Sequence, residues 1–234
     1  MTAHQLVHGV RILVLGVTAC GLLSFSATGQ STTEPNRPPG AVVQVWNASP
    51  TLTDTNLLHF YVIAPLGEEA LVTFDGRDSY DPEGGPLVFE WTEFDDGERL
   101  IGHTALTVST FYGDDDSSVH RLKLLVVDQG DARDEVEFKL TVLAPTEIVS
   151  DLADYLTEPA PHYLAVRHRM ARALRLAEAA FAHGKAGARR GSLKLRFFLH
   201  LARSHPAALG NAKNQAYVFG VTEELLQVVR GNRE

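Results

Sequence analysis

Between residues 41 and 145 apolar and polar side chains alternate with a period of two, and beyond 145 the apolar positions recur every three to four. In 135–143, Val136, Phe138, Leu140 and Val142 alternate with Glu137, Lys139 and Thr141. That pattern gives a strand one buried and one wet face. In 120–127, Leu122, Leu124 and Val126 share a face before the segment becomes apolar on both sides, as a central strand does. Further strands are predicted at 41–46, 57–64, 70–74, 87–94 and 105–111. Turn signals separate them at Pro65-Leu66-Gly67, Pro82-Glu83-Gly84-Gly85, Asp95-Asp96-Gly97 and Gln129-Gly130-Asp131. About seven short strands over roughly 100 residues predict an immunoglobulin-like β-sandwich over 41–145.

After Pro145 the spacing predicts helices. Ser150 reads as the cap of a short helix ending near Leu156. Pro161 suits the first turn of a longer one, with Tyr163, Val166, Met170, Leu174, Ala177 and Phe181 as its apolar stripe and Gly184 as its stop. A third helix is predicted at 192–204 and a fourth at about 211–229. Such stripes need one another for burial, so 146–234 is expected to be a small all-α helical bundle.

The N-terminus reads differently. Residues 12–27 carry no charge and follow a leader whose one Lys/Arg is Arg11. About 16 apolar residues fall short of a membrane span and suit the core of an export signal over 1–29. Two processing routes are legible: acylation of Cys20 within Val17-Thr18-Ala19-Cys20, or cleavage after Gly29. Cys20 is equally readable as a small hydrophobe. Residues 30–40, polar with three prolines, form a linker. The chain is therefore expected to be exported (periplasmic, cell-surface or secreted), with any membrane attachment limited to a lipid on Cys20.

Composition adds a division. At 44% hydrophobic and 21% charged residues, the chain has enough apolar material for a packed core. The net charge of −8 is unevenly spread. Residues 1–145 hold 8 Lys/Arg against 21 Asp/Glu, a net −13, whereas 146–234 hold 13 against 8, a net +5. Two surfaces of opposite sign follow. Asp114, Asp115 and Asp116 read as a solvated hairpin tip.

The densest chemistry lies in 74–91, where a loop carries Asp75, Asp78, Asp81 and Glu83 among glycines and prolines. Asp78 and Asp81 suit turns that they cap themselves. The same acids also suit a hard cation, since calcium takes six to eight oxygen ligands. Several blocks here resemble a polycystic-kidney-disease (PKD) domain: Asn36-Arg37-Pro38-Pro39, Phe74-Asp75-Gly76, Ser79-Tyr80-Asp81-Pro82-Glu83-Gly84, Phe89-Glu90-Trp91 and Leu125-Val126-Val127-Asp128-Gln129-Gly130. The turn after Trp91 keeps only part of the family's pattern. The resemblance implies a sandwich with Trp91 in its core and Tyr80 closing the loop over it. It also implies a possible calcium site at Asn36, Asp81, Glu83 and Asp128. The tail is similar to the helical modules called FIMAH, on its alanine-rich helix, its glycine turn and Leu195-Arg196-Phe197-Phe198-Leu199.

Arg167, Arg169, Arg172 and Arg175 fall along one predicted helix and are read as an anion-binding face, against the plainer reading of a solvated side. His162, His168, His183, His200 and His205 lack metal-ligand spacing. No nucleophile elbow, HExxH, P-loop or dinucleotide fingerprint occurs in the sequence. The expected role is therefore non-catalytic: an exported module that binds an extracellular protein or polysaccharide, with no nucleic-acid partner. The other expectation is a spacer or scaffold subunit whose helical tail makes the specific contact.

Overall fold

A computed structural model describes residues 35–95, 97–112, 118–158 and 161–231. The proposed export signal, Cys20 and the Asp114–116 run lie outside the described residues. The two segments with the clearest alternation become the longest ladder: β7 (Ser118–Val127) pairs antiparallel with β8 (Arg133–Leu143). The remaining strands are β1 (Gln44–Val45), β2 (His59–Ile63), β3 (Ala70–Asp75), β4 (Val88–Glu93), β5 (Arg99–Gly102) and β6 (Leu106–Phe111). They form a three-stranded sheet ordered β1-β3-β6 and a five-stranded sheet ordered β2-β8-β7-β4-β5. Seven of the eight strands match predicted segments. The exception is β5, which is four residues long and lies just after a turn signal, too short to show a period.

One pairing is parallel among otherwise antiparallel ones. β2 lies parallel to β8, with Phe60 opposite Leu140 and Val62 opposite Val142. The 57–64 segment thus becomes an edge strand of the larger sheet. Phe60, Phe74, Trp91, Phe111 and Phe138 fill the sandwich core, and Trp91 is only 1% exposed. Its ring meets Phe74 at 5.6 Å and Phe138 edge-on at 6.2 Å, geometries that aromatic pairs favour. Tyr80 does not close over Trp91. It is 60% exposed, and its backbone pairs with Gly40.

The tail forms α1 (Pro145–Thr157), α2 (Leu164–Phe181), α3 (Ala188–Ser204) and α4 (Ala212–Gly231). α1 starts at Pro145 rather than Ser150, because a proline at the first helical position loses no hydrogen bond. Val149, Leu152, Met170, Leu174, Leu195, Phe198, Leu225 and Val229 make the bundle core. Gly191 lies where a Cβ would strike the Phe181 ring, so α2 and α3 pack closely there.

The bundle docks on the sandwich. Ile63 at the end of β2 and Leu66 in the following loop are buried within the helical core, with Leu143 and Leu52 packed against it. Glu224 of α4 reaches the loop after β1, where it accepts hydrogen bonds from Ser49 Oγ, Thr51 Oγ1 and, at 3.2 Å, the Thr51 amide. Gly220, one turn earlier, abuts the Thr51 side chain and leaves no room for a Cβ. Lys185 pairs with Glu68 alongside.

Candidate functional site

The residues proposed for calcium are placed at one end of the sandwich, but in two separate hydrogen-bonded arrangements. Asn36 donates from Nδ2 to Asp128 Oδ2 at 2.9 Å, while Asp128 Oδ1 accepts from the amides of Gly130 and Ala132. Asp81 caps its own turn, taking the amides of Glu83 and Gly85 on its two oxygens. Those backbone bonds hold its carboxyl below the usual range. Glu83 is paired with Arg37 at 2.6 Å. The carboxylates of Asp81, Glu83 and Asp128 do not gather within 4.8 Å as a set. In this arrangement the four side chains are engaged by protein donors in two separate groups.

The cluster among the described residues that does gather is Glu93, Asp95 and His120. Three of its four carboxylate oxygens already accept hydrogen bonds. Glu93 takes His120 Nδ1 at 2.6 Å on one oxygen and the Arg99 guanidinium on the other, and Asp95 takes the Arg121 amide at 2.5 Å. Glu93 and His120 stand on neighbouring strands far apart in sequence, so their approach was not legible from spacing.

The four α2 arginines do not share a face. Arg167 is 5% exposed and donates to the carbonyls of Leu156 (3.0 Å), Ala208 (3.0 Å) and Tyr155. Tyr155 and Leu156 lie in the last turn of α1, whose carbonyls lack helical partners, so Arg167 ties down the end of that helix. Arg175 is held by Asp154 and Glu178, with a further bond to Ser150. Arg169 and Arg172 remain exposed. Of the four, one is therefore internal, one is ion-paired and two face outward.

The surfaces with open binding capacity lie elsewhere and are adjacent. The outer face of β1-β3-β6 exposes Trp46 (56%), Leu71 (60%) and Val108 (51%). Such a face is unusual where the alternation would place polar side chains. Trp46 is fixed at its edge, donating its indole N–H to Asp75 Oδ2 at 2.7 Å, with the Arg77 guanidinium 5.1 Å from its ring centroid. Gln44 and Asp78 are bonded to each other beside it, at 2.6 Å.

Leu71 and Asn47 lead from this face into a cleft of about 520 Å³ where sandwich meets bundle. Its walls are Ser49, Pro50, Ile63, Glu224, Gln227 and Val228. On the far side of α4, a groove of about 450 Å³ separates α4 from α3, with Arg196, His200, Arg203 and Arg230 along its sides. Gln227 lines both spaces. On a helix, Glu224, Gln227 and Val228 share one side, while Glu223, Gln227 and Arg230 share the next, so α4 is the ridge between cleft and groove. Sequence reasoning missed this site. The signals were present in Trp46 and in the basic residues of α3 and α4, but nothing in their spacing joined them.

The sequence matches no family model, and no curated protein matches it. Several solved structures match part of the chain. A carbohydrate-binding module structure from the β-sandwich superfamily is 21% identical at a TM-score of 0.32, over 47% of this chain and 36% of that one. The PKD1 domain of Vibrio anguillarum Epp is 16% identical at 0.32, over 47% of this chain and all of the domain. The PKD1 domain of the Vibrio cholerae metalloprotease PrtV is 13% identical at 0.31, over 46% of this chain and 99% of the domain. Each alignment covers less than half of the chain. At these TM-scores the likenesses carry no inference about the fold or its ligands, and they give the FIMAH-type reading of the tail no support.

Proposed function

We propose that the protein is a non-catalytic, exported binding module that holds a polysaccharide across the three-stranded sheet face and the junction cleft. The observation that carries this reading is the join between an exposed, edge-fixed tryptophan and a cleft walled by apolar, hydroxyl, amide and carboxylate groups. Sugars present an apolar C–H face and a rim of hydroxyls. The first suits stacking on Trp46, and the second suits bonding to Arg77, Asn47 and Gln227. Ligand sites also favour junctions of this kind, since two packed units hold the walls fixed.

Intrinsic fluorescence tests it directly. The chain has two tryptophans, Trp46 exposed and Trp91 buried. Titrating soluble polysaccharides into the full chain is expected to shift Trp46 emission to the blue, and Trp46→Ala is expected to abolish both the shift and retention in polysaccharide-containing gels. Binding that survives Trp46→Ala unchanged would overturn the reading. The second reading, a scaffold whose helical tail makes the partner contact, is favoured by the cationic groove. It predicts that contact is confined to α3 and α4, with no effect from Trp46.

A further inference from the structure

The groove between α3 and α4 has a chemistry that the sandwich face lacks. Arg196, His200 and Arg230 are exposed on its sides, and none makes an ion pair or side-chain hydrogen bond among the described residues. Arg203 has one carboxylate partner, Glu223, at 2.6 Å. The groove therefore holds three guanidinium groups and an imidazole against a single acid. Elsewhere in the bundle Arg167 is internal and Arg175 and Lys185 are matched. The other cations unpaired among the described residues, such as Arg169 and Arg172, do not line a groove with an apolar floor. Arg196 and Arg203 stand two helical turns apart on α3, facing Arg230 on α4. The floor is apolar, made by the buried Leu199 and Leu226.

Unpaired guanidinium groups flanking an apolar floor suit a chain that carries oxyanions at intervals and apolar surface between them. Arg binds carboxylate or sulfate oxygens through paired N–H donors, and the low, partly walled setting strengthens those bonds relative to open water. The groove also continues from the junction cleft over the single ridge residue Gln227. A polymer lying on Trp46 and filling the cleft would cross into it.

We infer that the α3–α4 groove is an anion subsite that selects acidic polysaccharides, those bearing carboxylate or sulfate groups, over neutral ones. This rests on the polysaccharide reading above and adds the charge class of the ligand. Arg196 and Arg230 contact the acidic groups, while the Trp46 face takes the neutral surface of the chain. Because exposed charges are screened by salt, the acidic preference weakens as ionic strength rises.

Affinity electrophoresis of the full chain in gels containing polygalacturonate, dextran sulfate or uncharged dextran tests the inference. Wild-type protein is expected to be retarded most by the two acidic polymers. Arg196→Gln/Arg230→Gln is expected to weaken binding to them about tenfold and leave any dextran binding unchanged. Arg169→Gln/Arg172→Gln removes the same charge from exposed α2 and is expected to change nothing. Equal losses in both double variants would overturn the inference, since net charge alone would explain them. Retention of full acidic binding by the groove variant overturns it as well. So does binding of poly-glutamate with the same affinity and the same groove dependence, which would make the site one for acidic protein. If Trp46→Ala weakens binding to every polymer while the groove variant has no effect, the inference falls and the polysaccharide reading stands. If no polymer is retarded, both fall.

Discussion

The sandwich and the bundle solve burial in opposite ways, and the difference shows in where each keeps its charge. The sandwich closes its core with aromatic side chains from both sheets, Phe74, Trp91, Phe111 and Phe138, brought together by pairings between strands distant in sequence. Most of its acids are left at the surface, and the two that are buried, Asp75 and Asp128, are satisfied by turn amides and nearby donors. The bundle closes a core of Leu, Ala, Met and Phe from neighbouring helices, and it places an arginine inside. The contrast is not complete separation, because Ile63 and Leu66 of the sandwich are part of the helical core. Each unit has its own interior, but the second is finished by the first.

The strongest way to break this comparison is to damage one core and watch the other. Trp91→Ala empties a site that is 1% exposed and is expected to cost about 3–5 kcal/mol. Leu195→Ala in the bundle, at 0% exposed, is expected to cost about 2–5 kcal/mol. Calorimetry is the measurement. Because Ile63 and Leu66 of the sandwich lie in the helical core, either variant is expected to lower one cooperative transition. Two resolved transitions, with only the damaged one displaced, would show that the units unfold independently.

Arg167→Met comes next. The change keeps the apolar stem and removes three donors, leaving the carbonyls of Tyr155, Leu156 and Ala208 unpaired in the interior. The expected loss is about 3 kcal/mol in chemical denaturation. A loss below about 0.5 kcal/mol would mean that water replaces the guanidinium and the arginine is incidental.

Glu224→Ala probes the junction itself. It removes the acceptor for Ser49, 5% exposed, and for Thr51, and is expected to cost about 1–3 kcal/mol. The sharper readout is cooperativity: weakening this clasp is expected to broaden or split the calorimetric transition, which a simple surface change would not do.

How much of this was legible follows the same contrast. The bundle's helices were readable because their contacts are local. The stripe Val166, Met170, Leu174, Ala177 and Phe181 needs no knowledge of its partner to be recognised. The strands were readable one by one from Phe138 and Leu140 or from Leu122 and Leu124. Their order was not, since the parallel alignment of β2 with β8 is fixed by packing across the sheet rather than by any run of residues. For the site, residue type was visible and environment was not. Arg167 and Arg169 look alike in sequence, and only the crossing of α1 and α2 makes one internal. Asp81 and Asp128 looked available for a cation, but both accept from backbone amides two and four residues on, and Asp128 also accepts from Asn36. Trp46 was visible as an aromatic but its outward setting was not, because which way it faces depends on a strand only two residues long.

The smallest expected effect sharpens the charge contrast, because it depends on pH in one unit and not in the other. Asp75, 8% exposed at the end of β3, accepts the Arg77 amide and Nε on one oxygen and Arg77 Nη2 and the Trp46 indole on the other. The Arg77 side chain, more than any other group, holds its carboxyl well below the usual carboxylate range, against the opposing effect of desolvation. A carboxyl depressed in the folded state adds stability that is fully present above its unfolded pKa, about 3.9, and is lost as pH falls below it. Denaturation midpoints of wild type and Asp75→Asn are therefore expected to differ at neutral pH and to converge as pH falls from 5 toward 2. Over the same window, the gap between wild type and Arg167→Met is expected to stay constant, since Arg167 is bonded to carbonyls that do not titrate. A constant gap for Asp75→Asn would show that the Arg77 pairing contributes nothing to folding. The rigid setting of Trp46 would then have to come from the sheet alone, and Asp75→Asn would leave both its emission and its part in ligand binding unchanged.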